Sequence, residues 1–253
     1  MDLELITSSR NPQFKLWKSY IQSPQDPDCP WIAVEGPKQA LDLSRKHKIE
    51  LLLYSADDSI APVVSRQTPP AVRLQSGLFS RLSRVRSHQS CIAFFKKPVW
   101  GWADASEWIL YLEGMQDPGN LGTLLRTAQA TGLFSLVTNH GAVSFFNSKV
   151  VRASSGALFQ VPFLEGVTLA DLKRRNYRIV ASCPSGQDGL FDHQFAPRTA
   201  FLVGNEGRGV TREALEMSDE AFRIPMEPGS DSLNSSVVGS LIMYRVYLQR
   251  PRK

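Results

Sequence analysis

The chain of 253 residues is poor in metal and disulfide chemistry. Its three cysteines, Cys29, Cys91 and Cys183, are odd in number, widely spaced and without a CxxC pair. That pattern argues against a disulfide framework and a thiolate zinc site, and it makes a reducing cytoplasm the expected location. The four histidines, His47, His88, His140 and His193, show no ligand spacing, so no metal is expected. No stretch approaches 18 uninterrupted apolar residues, so no membrane span or membrane partner is expected. The start, MDLELITSSRNPQ, has no basic segment leading into an apolar one, and no secretory signal is expected. Neither GxGxxG nor GxxxxGK occurs, which leaves dinucleotide and P-loop readings without footing. There is no internal repeat and no low-complexity tract.

What is present is an ordinary globular composition, 42% hydrophobic and 21% charged. The charge is unevenly divided. Residues 1–98 hold 14 Lys and Arg against 9 Asp and Glu, whereas residues 99–253 hold 15 against 15. The whole excess of +5 therefore sits in the first part. A basic module on a neutral one fits a polyanion-binding segment serving a chemical domain. A merely solvated basic surface fits the charge alone equally well.

The first part reads as a small α/β module. SRNPQFKLWKSYIQS is a basic amphipathic helix with Phe14, Trp17, Tyr20 and Ile21 near helical spacing. WIAVEG and IELLLYS read as strands, PKQALDLSRKHK as a helix opened by Pro37. SGLFSRLSRVRSHQSCIAFF carries Arg81, Arg84 and Arg86 before an apolar strand. Residues 99–107 read as a linker. From Trp108 strands and helices alternate: WILYLEG, NLGTLLRTAQATG, SLVTN, the helix SKVVRASSGALF, VPFLEG, TLADLKRRN, YRIVASC, AFLVGNE, TREALEMSD, the strand AFRIPM, and a last helix SSVVGSLIMYRVYLQR. Such alternation predicts a mostly parallel sheet with helices on both faces.

Three segments stand out, because each joins an apolar run to a polar turn. In DPGNLGTLLRTA (117–128), Asp117-Pro118-Gly119 stops a strand and Asn120 is placed to cap a helix. Leu121, Leu124, Leu125 and Ala128 share about 100° of the wheel, with Arg126 opposite. The helix N-terminus, Gly119, Gly122 and Arg126 form a candidate anion grip, against the plainer reading of a capped helix with a solvated Arg. In FLVGNEGRG (201–209) a buried strand ends in a loop with three glycines and Glu206, at the carboxyl end of a parallel strand where α/β sheets bind ligands. In IPMEPGSDSLNSS (224–236), Pro225 makes the strand end irregular before Ser232-Leu233-Asn234 lead into the last helix. That helix is apolar on nearly all sides, so one side should pack on its own sheet and the other on a second subunit.

In this order and spacing the three segments resemble the motifs of the SpoU–TrmH family of RNA 2′-O-ribose methyltransferases, in the SPOUT superfamily. KVVRASSGALF (149–159) is also similar to the family, and the resemblance covers roughly residues 106–250. ITSSRNPQFKLW and WIAVEGPKQALDL are similar, more loosely, to the RNA-binding domain that precedes catalysis in rRNA-modifying members. The resemblance implies an RNA-binding domain over 1–98 and a methyltransferase domain over 108–253 with a deep trefoil knot. It implies bound S-adenosyl-L-methionine and a homodimer formed through the C-terminal helix and knot. By motif matching, Arg126, Asn120, Glu206, Ser232 and Asn234 are the catalytic set, and Gly204, Ile224, Met226 and Leu233 meet the cofactor. Arg81, Arg84, Arg86 and Arg152 are candidates for RNA contact, Arg152 equally for a dimer contact or a structural ion pair. Where the family's third motif usually reads SLNVS, this chain reads SLNSS, with Ser235 in the apolar place; RSHQSCIAFF also departs from the usual turn.

The implied reaction is attack of a ribose 2′-hydroxyl on a sulfonium methyl, in which alignment supplies much of the acceleration. Arg126 is an awkward base, since an Arg pKa lies above about 12. The expected role is therefore to bind the neighbouring phosphate and stabilise the alkoxide, with Asn120 and Ser232 orienting it and Glu206 positioning Arg126 or nearby backbone. The two-domain layout favours 23S-type rRNA. The rivals are a tRNA ribose methyltransferase and a non-catalytic RNA-binding member of the fold. Cys183 has no base partner and is not expected to act as a nucleophile.

Overall fold

Trp108–Leu112 is buried at all five positions, as a strand covered on both faces must be. In the computed structural model, which describes residues 5–56, 69–83, 91–230 and 232–250, that strand lies inside a seven-stranded sheet. The chain divides into two compact units, Met1–Pro98 with Phe146–Arg152, and Val99–Phe145 with Ala153–Lys253.

The first unit runs Leu5–Ile6 (β1), Pro12–Gln22 (α1), Trp31–Glu35 (β2), Pro37–Ser44 (α2), Ile49–Ser55 (β3), Ala71–Leu74 (β4), Ser76–Phe79 (α3) and Cys91–Lys96 (β5). Its five strands order as β1-β4-β3-β5-β2, with β3 parallel to β4 and antiparallel to β5. Asn11 starts α1 by accepting from the Gln13 N–H at 2.8 Å, ahead of Pro12. Phe14, Trp17 and Ile21 form its buried stripe, each contributing about 1.5–3 kcal/mol by leaving water. Tyr20 is half-buried, edge-on to Trp31 with ring centres 5.9 Å apart.

The rest of the chain runs Trp108–Leu112 (β6), Pro118–Thr131 (α4), Phe134–Thr138 (β7), Ser148–Ala153 (α5), Phe163–Leu164 (β8), Leu169–Arg174 (α6), Arg178–Ser182 (β9), Asp188–Gly189 (β10), Thr199–Val203 (β11), Arg212–Glu216 (α7), Glu220–Arg223 (β12) and Ser235–Leu248 (α8). The order is β10-β12-β9-β11-β6-β7-β8 and every pairing is parallel. One face carries an aromatic core around Phe201, with Phe195 4.7 Å away and Trp108 6.1 Å away between ring centres. The other holds Ile109, Tyr111, Ile179 and Leu202. The buried Tyr111 hydroxyl donates to the Val167 carbonyl at 3.0 Å, and burial pushes its pKa far above the usual phenol range.

Several local expectations change. Asn120 does not cap α4: Asp117 does, its Oδ1 accepting the Asn120 N–H at 2.8 Å, because Pro118 suits the first helical position. The helix start is therefore partly filled by its own carboxylate and offers an anion less than expected. Gly122 serves packing: a Cβ there would fall 2.3 Å from the Ala153 Cβ. SKVVRASSGALF is not one helix. It breaks after Ala153, with Ser155 and Gly156 at positive φ of 48° and 90°, and resumes as a 3₁₀ turn over Ala157–Phe159. The strand β12 ends at Arg223, short of Pro225, which cannot donate to a ladder. The last helix is two-sided. Ile242, Met243 and Val246 are buried, and Thr127 and Ser240 hydroxyls meet at 3.1 Å between α4 and α8. Val237, Tyr244, Tyr247 and Leu248 are exposed. Among the described residues, no helix is long and apolar enough to cross a membrane.

Candidate active site

The loops that leave the carboxyl ends of β9, β11 and β12 converge on one cavity of about 420 Å³. Its wall comes from residues 182–184, 203–210 and Ile224, Met226, Ser232, Leu233, Ser235 and Val238. A parallel sheet opens its ligand crevice at this end, where strand carbonyls stop pairing and loops diverge.

The 204–209 loop is shaped by two residues. At Gly204 the backbone of the loop's return strand comes so close that a Cβ would sit 2.1 Å from the Gly209 carbonyl carbon. Asn205 then holds the turn from inside. Its Oδ1 accepts from the Gly207 N–H at 3.0 Å and its Nδ2 donates to the Gly114 carbonyl at 2.8 Å. Backbone bonds between Asn205 and Gly209 close the loop in both directions.

Glu206, exposed on this loop, is the meeting point of three segments. Its Oε1 accepts from Asn120 Nδ2 at 3.0 Å and from Ser235 Oγ at 3.3 Å, and its Oε2 from Asn205 Nδ2 at 3.3 Å. An ionised carboxylate only accepts, so these side chains must all turn donors toward it. Asn120 Nδ2 also donates to Ser235 Oγ at 3.4 Å.

The expected residues are gathered unequally. Gly204, Ile224, Met226 and Leu233 all line the cavity, with Glu206 and Ser232. Asn120 joins through Glu206. Asn234 is a helix cap: its Oδ1 accepts from the Ser236 N–H at 2.8 Å and the Ser236 hydroxyl at 2.6 Å. Arg126 is not part of the cavity wall. It is exposed and makes no hydrogen bond or ion pair among the described residues. The expected contact of Glu206 with Arg126 is absent. Six residues separate Arg126 from Asn120, about 240° of turn, so the two leave different faces of α4. Arg81 is exposed after α3 and Arg152 is half-buried in α5, whereas Arg84 and Arg86 lie outside the described residues.

Sequence reasoning missed Asn205, Arg208 and Ser235. An Asn inside a glycine-rich turn is the signal that could have found Asn205, since its side chain can brace the turn's own backbone. Arg208 lines the cavity, where the sequence gave no reason to separate it from a solvated loop residue. Ser235 was hidden by its place in the motif, where only packing was at issue. Cys183 lines the cavity with its Sγ 3.0 Å from the Ser185 hydroxyl, which is no base.

Comparison with known proteins bears directly on this arrangement. Residues 107–244 match the model of the SpoU rRNA Methylase family. The chain is 26% identical over 250 residues to the 23S rRNA (guanosine(2553)-2′-O)-methyltransferase RlmP of Bacillus subtilis, covering 96% of this chain and 99% of that one. Among solved structures, an AdoMet-bound rRNA methyltransferase of Sinorhizobium meliloti shares the fold with a TM-score of 0.82 at 22% identity, over 99% of each chain. A structure described as an RNA 2′-O ribose methyltransferase aligns with a TM-score of 0.76 at 26% identity, over 97% of this chain and 98% of that one.

Proposed function

This chain belongs to the SpoU rRNA methylase family, and from that premise we propose that it methylates a ribose 2′-hydroxyl in structured RNA. The donor is S-adenosyl-L-methionine and the substrate class is 23S-type rRNA. The observation that carries this reading is the junction at Glu206, where Asn120, Asn205 and Ser235 meet at the wall of one cavity.

The residues present fit the cofactor. A volume of about 420 Å³ lies in the range of small-molecule sites. Val203, Ile224, Met226 and Leu233 give apolar wall for a flat base, and Glu206 and Arg208 give one charge of each sign for an amino acid. Ile224, Met226 and Leu233 would hold the adenine and the chain at Gly204 the methionine part. When bound, the cofactor would supply a sulfonium methyl that an oxygen nucleophile can take, with the thioether sulfur as leaving group. The chain's own work is alignment and charge. Arg126 grips the phosphate beside the target ribose and stabilises the charge that develops on its oxygen, and Asn120 and Ser232 orient the hydroxyl. The proton passes to the phosphate or water, since a guanidinium is already protonated and has no acceptor site for it.

Arg126 stands away from the cavity of its own chain, which favours a site assembled from two subunits. The exposed Val237, Tyr244, Tyr247 and Leu248 on α8 supply an apolar face for such a homodimer. The chain leaves β12 and returns past β9 and β11 to pack α8 on α4, a path that suits a threaded trefoil knot. Residues 1–98 are the RNA-binding part, by their charge excess and by Arg81, Arg84 and Arg86, with Arg152 adding a contact; residues 99–107 link them to a methyltransferase part over 108–253. The cytoplasm is where such an RNA would be met. The match to a 23S rRNA enzyme along nearly the whole chain favours rRNA over tRNA.

Mapping 2′-O-methyl sites in rRNA and tRNA from cells with and without the gene tests this. One 23S-type rRNA site should vanish with the gene. A lost tRNA methyl beside unchanged rRNA would overturn the substrate, and no lost methyl would overturn the activity.

A further inference from the structure

Ser235 is only 4% exposed, and a buried hydroxyl needs partners. Its proton can reach Glu206 Oε1 at 3.3 Å or Met115 Sδ at 3.9 Å. The charged carboxylate is the stronger acceptor, so the proton lies there. The hydroxyl's lone pairs then face Asn120 Nδ2 at 3.4 Å. The Asn120 amide nitrogen thus donates toward both, Glu206 Oε1 at 3.0 Å and Ser235 Oγ at 3.4 Å. Flipping that amide would set its carbonyl oxygen against a carboxylate, acceptor against acceptor. The orientation leaves Asn120 Oδ1 without a hydrogen bond among the described residues.

We infer that Ser235 is a positioning residue, whose hydroxyl locks the Glu206 carboxylate and the Asn120 amide so that Asn120 Oδ1 is the acceptor for the attacking ribose hydroxyl. This rests on the reading of the site as a ribose methyltransferase. Two features make the lock firm. Ser235 is the first residue of α8, whose start is fixed by the Asn234 cap. Asn205 Nδ2, at 3.3 Å from Oε2, keeps the carboxylate from rotating away. The hydroxyl that departs from the apolar residue usual at this place in the motif thus gains a task in this chain.

Ser235→Ala, Ser235→Thr, Asn120→Ala and the Asn120→Ala/Ser235→Ala double variant test the lock by methyl transfer to rRNA, calorimetry with S-adenosyl-L-methionine and amide exchange by NMR. Ser235→Ala should lower kcat about tenfold, with cofactor Kd unchanged within about twofold. Ser235→Thr, which keeps the hydroxyl, should retain most of the rate. The double variant should lose no more than Asn120→Ala alone, because Ser235 acts only through the acceptor that Asn120→Ala removes. The Asn120 side-chain amide protons should exchange faster in Ser235→Ala than in the wild-type chain, with or without RNA. A Ser235→Ala kcat within twofold of wild type, a multiplicative loss in the double variant, or unchanged amide exchange would overturn the inference. A wild-type chain that transfers no methyl to any RNA would overturn the parent reading, and this one with it.

Discussion

At one end of the candidate site, Glu206 accepts hydrogen bonds from Asn120, Asn205 and Ser235, side chains of three separate segments. At the other, Arg126 leaves the same helix as Asn120 and stands exposed, with no partner among the described residues. The first end is organised before any ligand arrives. The second has its charge in place and its geometry open. On the proposed reading, this difference suits a site in which the chain's own cavity holds the donor and Arg126 engages only when RNA arrives. An electrostatic residue without a structural partner can be removed at little cost in stability. A hub residue cannot.

The sharpest way to break the comparison is Arg126→Ala. It should cut methyl transfer by about 10²–10³-fold, as for loss of a charge-stabilising donor, while leaving the melting temperature unchanged. A matching fall in stability would show that Arg126 has structural work. Gly204→Ala comes next. A Cβ at 2.1 Å from the Gly209 backbone has no side chain to push aside, so the loop must move. A cost of about 3 kcal/mol and a loss of cofactor binding by calorimetry are expected. Glu206→Gln keeps the shape but turns one acceptor into a donor against Asn120 or Ser235. About a tenfold loss of kcat is expected, with a small fall in melting temperature that Arg126→Ala does not show.

The smallest effect lies away from the site and serves as a control. The Thr168 hydroxyl and N–H, and then Arg174, hold the Asp171 carboxyl at about 2, below its unfolded value near 3.9. A depressed carboxyl contributes stability above its unfolded pKa and loses it as pH falls through the folded one. Melting temperature measured from pH 5 to 2 should therefore fall less steeply in Asp171→Ala than in the wild-type chain. Activity near neutral pH should not distinguish them.

Much of the fold was legible. The alternation of apolar runs with amphipathic stretches marks the parallel sheet, and prolines and glycines mark most strand ends. The order β10-β12-β9-β11-β6 was not: β6, β7 and β11 are buried along their whole length and equally apolar, so nothing local says which neighbours which, and β10 is two residues long, too short to show a pattern. The cap of α4 was misplaced because Asp117 and Asn120 are both good caps, and only Pro118 between them decides. Gly122 read as an anion contact when its cause is Ala153, 31 residues on in the chain. At the site, the residues that gather round the cavity were named from motif spacing. How they bond was not: Asn234 turned to its own helix, and Ser235, marked as the departure, turned to Glu206. Spacing says which segments meet, and the hydrogen-bond directions appear only when they do.

The central claim is that methyl transfer ends on a ribose oxygen of RNA. The purified chain, incubated with methyl-labelled S-adenosyl-L-methionine and 23S-type rRNA, should yield one labelled 2′-O-methylnucleoside after digestion, and Arg126→Ala should remove it. Label on a base, or bound cofactor with no label in any RNA, would contradict the account.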